Sequence, residues 1–274
     1  DNSALAGEEI DATNATFEGL TGANSTLDQL FAIEDKITHA TDNSTLGFIR
    51  VNPNNVYVTT NSGSVQRGID AATTSNNINI ATGNYTESVD INQSINLFFD
   101  DSTGVTISGN LTTSASDTIA LSGILTASSI NFSDPLILLN NVNFTATTGN
   151  INLSTVDSET GENNNLTVNS GTGNITFNDQ IGNTQPLGNI NVTGNEINVN
   201  NTVKGIGILT LQPSTTTQNI LFGGTDSGSN SNLDLTTTEL NLLQDGFSQI
   251  LIGNSNGTGN IILGTGIAIN DPTI

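Results

Sequence analysis

Few side chains in this sequence are of the kinds that do chemistry. The 274 residues include no cysteine, one histidine (His39) and four cations, Lys36, Arg50, Arg67 and Lys204. Asp100-Asp101, in a turn after Leu97-Phe98-Phe99, is the best adjacent carboxylate pair. A polysaccharide lyase needs carboxylates, a metal and a basic group side by side, and a hydrolase needs a pair of carboxylates across one bond. Only Lys204 among the cations falls well inside the repetitive part of the chain, and no ladder of aspartates is visible there. The aspartate pair therefore reads as turn chemistry, and the chain as a non-enzyme. A polysaccharide-degrading activity is the alternative, which clustered carboxylates with a basic partner in a groove would favour.

Hard oxygen ligands for calcium are the other chemistry available. Asp157, Glu159 and Glu162 crowd the loop from Val156 to Asn164 and, with Asp100 and Asp101, are the metal candidates. Their spacing is not that of an EF-hand loop, and a solvated acidic loop is the competing reading. Glu8, Glu9, Asp11, Glu18, Asp28, Glu34, Asp35 and Asp42 form an acidic N-terminal stretch with no better spacing. Calcium is the only cofactor these residues suggest. A lone histidine supplies neither a catalytic triad nor a histidine-ligated metal, so His39 reads as a packed or solvent-facing residue.

The formal charge of -22, from 26 acidic against 4 basic residues, repels nucleic acid and anionic membrane surfaces. No apolar run approaches the roughly 20 residues of a membrane-spanning helix, so no membrane insertion is expected. Without cysteine, stability has to come from packing. The chain opens at Asp1 with no leader and reads as a mature or excised piece of a longer secreted protein. Asn-x-Ser/Thr sequons recur, at Asn84, Asn92, Asn110 and Asn191 among others, in a sequence where all three residue types are abundant.

The elements that would carry these residues are repetitive. Gly149-Asn150-Ile151-Asn152-Leu153 returns as Gly173-Asn174-Ile175-Thr176-Phe177, Gly188-Asn189-Ile190-Asn191-Val192 and Gly259-Asn260-Ile261-Ile262-Leu263, with variants at Glu196-Ile197-Asn198-Val199, Asn219-Ile220-Leu221-Phe222 and Gln249-Ile250-Leu251-Ile252. Each is a turn followed by a period-two strand, and many such units in series are the mark of a stacked solenoid. Coils of roughly 20 to 30 residues stacked about 4.8 Å apart predict some eight to ten coils and a rod of about 40 to 50 Å. Asn recurring in these phrases suggests inward-stacked amides hydrogen-bonding along the rod.

Residues 1–60 read as an acidic, helix-containing cap or assembly region. Thr26 and Gln29 form a capping box, and Leu27, Leu30, Phe31, Ile33 and Ile37 predict an amphipathic helix to about Thr41 whose apolar face covers either the solenoid end or a neighbouring subunit. A strand pair is expected at 47–51 and 55–60. Residues 61–274 read as the β-helix, with a capping helix near 64–74 that opens at Ser64 and a short helical insertion near 237–245. There Thr236 and Glu239 make a second capping box that protrudes or caps.

The block from Ser64-Val65-Gln66-Arg67-Gly68-Ile69-Asp70-Ala71-Ala72 through Gly83-Asn84-Tyr85-Thr86-Glu87 to Phe99 resembles the opening of pectate-lyase-like right-handed parallel β-helices, in which a short helix plugs the N-terminal end. Leu233 to Gly253 resembles a segment of large repetitive surface proteins of cyanobacteria and other aquatic bacteria, similar in architecture to filamentous-haemagglutinin-like adhesins. The resemblance implies an all-β, right-handed parallel β-helix on the outside of a bacterial cell.

The function expected is that of a secreted structural or adhesive protein of the cell surface or extracellular matrix. It would pair with copies of itself head-to-tail into filaments, or with matrix components and glycans. A polysaccharide-binding β-helix is the alternative, although two Tyr and no Trp leave few stacking platforms for sugars.

Overall fold

A computed structural model of the chain describes residues 5–227 and 232–267. It is a parallel β-solenoid of about 7 turns with few helices, fewer coils than the repeat count predicts. The difference comes from the first 50 residues and the last coils, where chain is spent on helices, wide turns and an out-of-order strand.

Strand β1 (Glu9–Asp11) is followed by helix α1 (Leu27–Glu34) and then by β2 (Phe48–Arg50) and β3 (Asn55–Val58). β2 and β3 do not pair with each other, contrary to the sequence expectation. β2 pairs in parallel with β1, while β3 is the first strand of the solenoid's main sheet. The first coil therefore opens inside the stretch read as the N-terminal region. Thr26 closes the predicted capping box with Gln29, but α1 stops at Glu34 rather than near Thr41. The chain has to fold back there so that His39 and Thr41 reach the Glu34 side chain. Leu30, Phe31 and Ile33 cover Tyr57 of β3, with the Phe31 and Tyr57 rings edge to face at 6.1 Å. The apolar face of α1 is thus spent on the first coil of its own chain.

Helix α2 (Val65–Asp70) starts at Ser64, as expected, and sends Val65 and Ile69, with Ala72 beyond its end, into the main core. It is the plug of the N-terminal end. Its first turn is held by Glu87, which accepts from Ser64 Oγ at 2.6 Å and from the backbone N–H groups of Val65 at 2.7 Å and Gln66 at 3.2 Å. Two positions earlier, the Tyr85 hydroxyl donates to the carbonyls of Val58 and Ala81. The phrase Gly83-Asn84-Tyr85-Thr86-Glu87 is a clasp between the second coil and the plug.

The coils that follow alternate between faces. They are built from β4 (Asn77–Ile80), β5 (Gly83–Tyr85), β6 (Val89–Ile91), β7 (Asn96–Phe99), β8 (Val105–Ile107), β9 (Leu111–Thr113), β10 (Ile119–Ala127), β11 (Ile130–Phe132), β12 (Leu136–Ala146), β13 (Ile151–Leu153), β14 (Val156–Ser158), β15 (Leu166–Asn169), β16 (Asn174–Phe177), β17 (Ile190–Gly194), β18 (Glu196–Val199) and β19 (Ile208–Pro213). The main sheet runs β3-β4-β7-β10-β12-β15-β17-β19 and a second runs β6-β9-β11-β13-β16-β18, all in parallel register. Single-residue bridges Val156↔Ile181, Ile181↔Val203 and Val203↔Leu243 continue a third side.

The period-two pattern puts an aliphatic or Phe residue inward at every second position. Ile151, Ile175 and Ile197 stack in one row, and Leu166, Ile190 and Leu209 in another, all fully buried. Each such side chain contributes about 1.5–3 kcal/mol. In β10 and β12 the register shifts: Ser122 of β10 stands opposite the three residues Leu139, Asn140 and Asn141 of β12. Beside this bulge Gly123 adopts φ +99°, and a Cβ there would lie 1.8 Å from the Phe99 carbonyl oxygen.

The asparagines do form ladders, but outside the core. Asn141 Oδ1 accepts from the Asn165 N–H at 2.8 Å, Asn165 Oδ1 from the Asn189 N–H at 2.7 Å, and Asn189 Oδ1 from the Ile208 N–H at 2.8 Å. Burying a column of amides would require every donor to find a partner inside. The interior positions are taken by aliphatic rows instead.

The C-terminal coils consist of β20 (Asn219–Phe222), β21 (Asn232–Leu235), helix α3 (Thr237–Leu240), β22 (Gln249–Ile252) and β23 (Ile261–Leu263). β22 pairs with β19, while β20 pairs with β21 on one side and β23 on the other. β21 lies beside β18, so it is wedged between β18 and β20 out of chain order. The capping box of Thr236 and Glu239 opens α3 as expected. α3 does not protrude: Leu240 and, beyond it, Leu243 are buried in the main core.

Candidate functional site

Two regions stand out, the bare C-terminal coil and an acidic joint just before it. In β23, Ile261 and Leu263 are in register with Ile220 and Phe222, whose strand faces the core, yet they are 60% and 71% exposed. They occupy inward-type positions, and among the described residues no later coil covers them. Ile262 and, in β22, Leu251 are exposed as well. β22 and β23 each pair on one side only. The N-terminal end contrasts with this, since α2 plugs its core and α1 covers its first strand.

The joint lies where β21 meets β18. No backbone ladder connects these neighbours, which belong to separate sheets, and carboxylates stand in for the missing carbonyls. Glu196 accepts from the Ile197 N–H at 3.1 Å and from the Asp234 N–H at 3.2 Å. Glu239 accepts from the Val199 N–H at 3.1 Å and from the Thr236 N–H and hydroxyl at 2.9 Å each. Asp234 is buried; its Oδ2 accepts from Ser227, while its Oδ1 has no partner among the described residues. With Asp226 these residues line a cleft of about 210 Å³. Burial, and then the Asp234 and Glu239 carboxylates, push the Glu196 carboxyl up to about 7. Burial raises Glu239 as well.

The joint was not singled out from sequence, although a signal existed. Glu196 stands in register with Asn174, so an acid occupies the slot where the repeated phrase elsewhere carries an amide.

The residues proposed from sequence are dispersed. Asp100 Oδ1 accepts from the Ser102 N–H at 2.8 Å and its hydroxyl at 2.6 Å, which is turn chemistry, and Asp101 is exposed next to it. Asp157 is buried and accepts from the backbone of Thr184 and Gln185, joining successive coils, whereas Glu159 and Glu162 point into solvent. The structure does not bring Asp157, Glu159 and Glu162 together as one ligand set. Among the described residues no group of three or more His, Cys, Asp or Glu side chains is arranged to hold a metal ion.

In the N-terminal stretch most of the acids are engaged internally, Glu8 and Asp28 being exposed. Glu9 takes Arg50 bidentately, Glu18 pairs with Lys36, and Glu34 binds His39 and Thr41. Asp35 accepts from Thr59, and Asp42 from the His39 N–H. His39 is fully buried and stacked on Phe48 at 5.1 Å. Among the described residues no helix is long and apolar enough to cross a membrane.

No protein-family model matches the chain, and neither curated proteins nor solved structures yield a significant match.

Proposed function

We propose that the protein is a structural or adhesive module of the bacterial cell surface or extracellular matrix, and that it associates with a second copy of itself through its C-terminal coil. The observation that carries this reading is the difference between the two ends. One is plugged and covered, while the other offers two half-paired strands and a strip of exposed aliphatic residues at inward-type positions. Such an edge is a template for strand addition. A second C-terminal coil supplies both what this end lacks, backbone partners for β22 and β23 and an aliphatic surface for Ile261 and Leu263. Pairing of like ends about a twofold axis is self-complementary and closes.

The side wall supports a mechanical rather than a catalytic role. Carbonyl-type oxygens of its asparagines bond the backbone of the next coil, and the glutamates of the acidic joint are occupied by backbone N–H groups. Secretion agrees with the acidic, cysteine-free composition and rests on that and on the surface-protein resemblance alone.

The test is light scattering on the purified chain over a range of concentrations, beside the double variant Ile261→Lys with Leu263→Lys, and negative-stain microscopy of both. Concentration-dependent dimers that the variant abolishes support the reading. Head-to-tail filaments that the variant abolishes keep the self-association and replace the symmetry. A chain that stays monomeric at every concentration overturns the association.

A further inference from the structure

The side wall carries a groove that the association does not use. It has a volume of about 380 Å³ and runs across several coils beside the β10–β12 bulge. Two polar rows form its floor. The first is Asn141, Asn165 and Asn189, one from each of three successive coils at the entry to β12's second half, β15 and β17. The second is Asn143, Thr167 and Asn191, in direct register across the same three strands. Asp101, Gly123 and Ile124 border it.

In the first row each Oδ1 is committed to the backbone N–H of the next coil. That bond fixes the amide plane, so each Nδ2 group is held outward as a donor with no partner among the described residues. Three such donors repeat at the coil spacing of about 4.8 Å. Nothing has to be ordered for them to bind, which removes the main entropic cost of using flexible polar side chains. The second row adds amides and a hydroxyl that make no hydrogen bond within the described protein, and Asp101 adds an acceptor.

We infer that this groove binds an extended neutral glycan strand lying across the coils. Its ligand has to present an acceptor at each coil and also donate, to Thr167 and Asp101. Hydroxyl groups do both. A polyanion would satisfy the donors but is repelled by Asp101 and by the net charge of -22. An extended peptide seeks unpaired backbone, and the strands of this wall are paired on both sides. The groove stands whether or not the C-terminal ends pair, because none of its residues belongs to β22 or β23.

The test is affinity electrophoresis of the full chain through gels containing a soluble mixed-linkage β-glucan, a galactomannan or, as the charged control, polygalacturonate. Asn165→Asp keeps an oxygen to accept from the Asn189 N–H and deletes the donor. Asn191→Ala removes a side chain that the fold does not use. Retardation by at least one neutral polymer, weakened about tenfold or more in both variants at unchanged melting temperature, supports the inference. Absence of retardation by both neutral polymers, equal retardation of the variants, or retardation by polygalacturonate alone overturns it.

Discussion

His39 Nε2 lies 2.6 Å from Glu34 Oε1, and both side chains are buried. On the other side of the ring, Nδ1 accepts the Ile49 N–H at 2.9 Å. An acceptor at Nδ1 places the ring proton on Nε2, so a neutral imidazole donates to the Glu34 carboxylate. Thr41 Oγ1 donates to the same oxygen at 2.9 Å, and the Thr41 carbonyl accepts from Arg67 Nε of α2 at 2.7 Å. The only histidine is therefore a structural joint between α1, β2 and the plug of the solenoid.

His39→Ala leaves a buried carboxylate short of a donor and a backbone N–H without its acceptor. Its expected cost is about 3 kcal/mol. Chemical denaturation of the variant beside the wild type measures it, and a loss below about 1 kcal/mol would show that the joint is dispensable.

Glu87→Ala removes the acceptor for three donors at the start of α2 and is expected to destabilise the N-terminal end by about 2 kcal/mol. Hydrogen exchange should rise first in α2 and β3, while β15 to β17 keep their protection. Uniform loss along the whole rod would contradict a local role.

Gly123→Ala places a methyl group against the Phe99 carbonyl at a backbone angle that side chains disfavour. A cost of about 3 kcal/mol or more is expected, read as a lowered melting temperature. Gly161→Ala, where φ is also positive but nothing lies within 4 Å, is the control for backbone strain alone and should cost about 1 kcal/mol.

At the acidic joint, burial raises the Glu196 carboxyl from its ordinary 4.5 to about 7. The folded state thus holds this proton to a higher pH than the unfolded chain. The stability that follows is fully present below pH 4.5 and is lost as pH rises through 7. Hydrogen exchange in β21, α3 and β22 should therefore be faster at pH 8 than at pH 5, after correction for intrinsic rates. Glu196→Gln keeps an oxygen for the Ile197 and Asp234 N–H groups and should flatten that dependence. An unchanged pH profile in the variant would assign the effect elsewhere, Glu239 being the next group whose carboxyl is raised.

Local pattern was enough for much of this fold. Period-two runs such as Ile190-Asn191-Val192 name their own inward residues, because a strand has only two faces. The boxes at Thr26 and Thr236 mark helix starts, because the bonds that cap them span three residues. Placement of Asn on the wall was misread because the repeat shows that asparagines stack and not on which side. The rule that decides it, full satisfaction of buried amides, acts only once the interior is filled. The pairing of β2 and β3 was misread for a related reason: neighbouring strands in sequence usually pair, and here β1 and β4 were better partners.

The candidate sites divide in the same way. From sequence, Asp157, Glu159 and Glu162 are a cluster because they are close along the chain. In three dimensions Asp157 turns inward to the backbone of the next coil and leaves the other two in solvent. Glu196 is far along the chain from Asp234 and Glu239 and meets them only because β21 is wedged between β18 and β20.

By itself, the sequence determined the solenoid, its inward rows and the helix that plugs one end, since each follows from contacts within a coil or between consecutive copies of one phrase. Only the tertiary structure decided where carboxylates replace a missing ladder and which amides face a common groove. Those features depend on how many coils have been stacked before a given residue arrives, and on a strand entering out of turn. Neither quantity is written in any local pattern of residues.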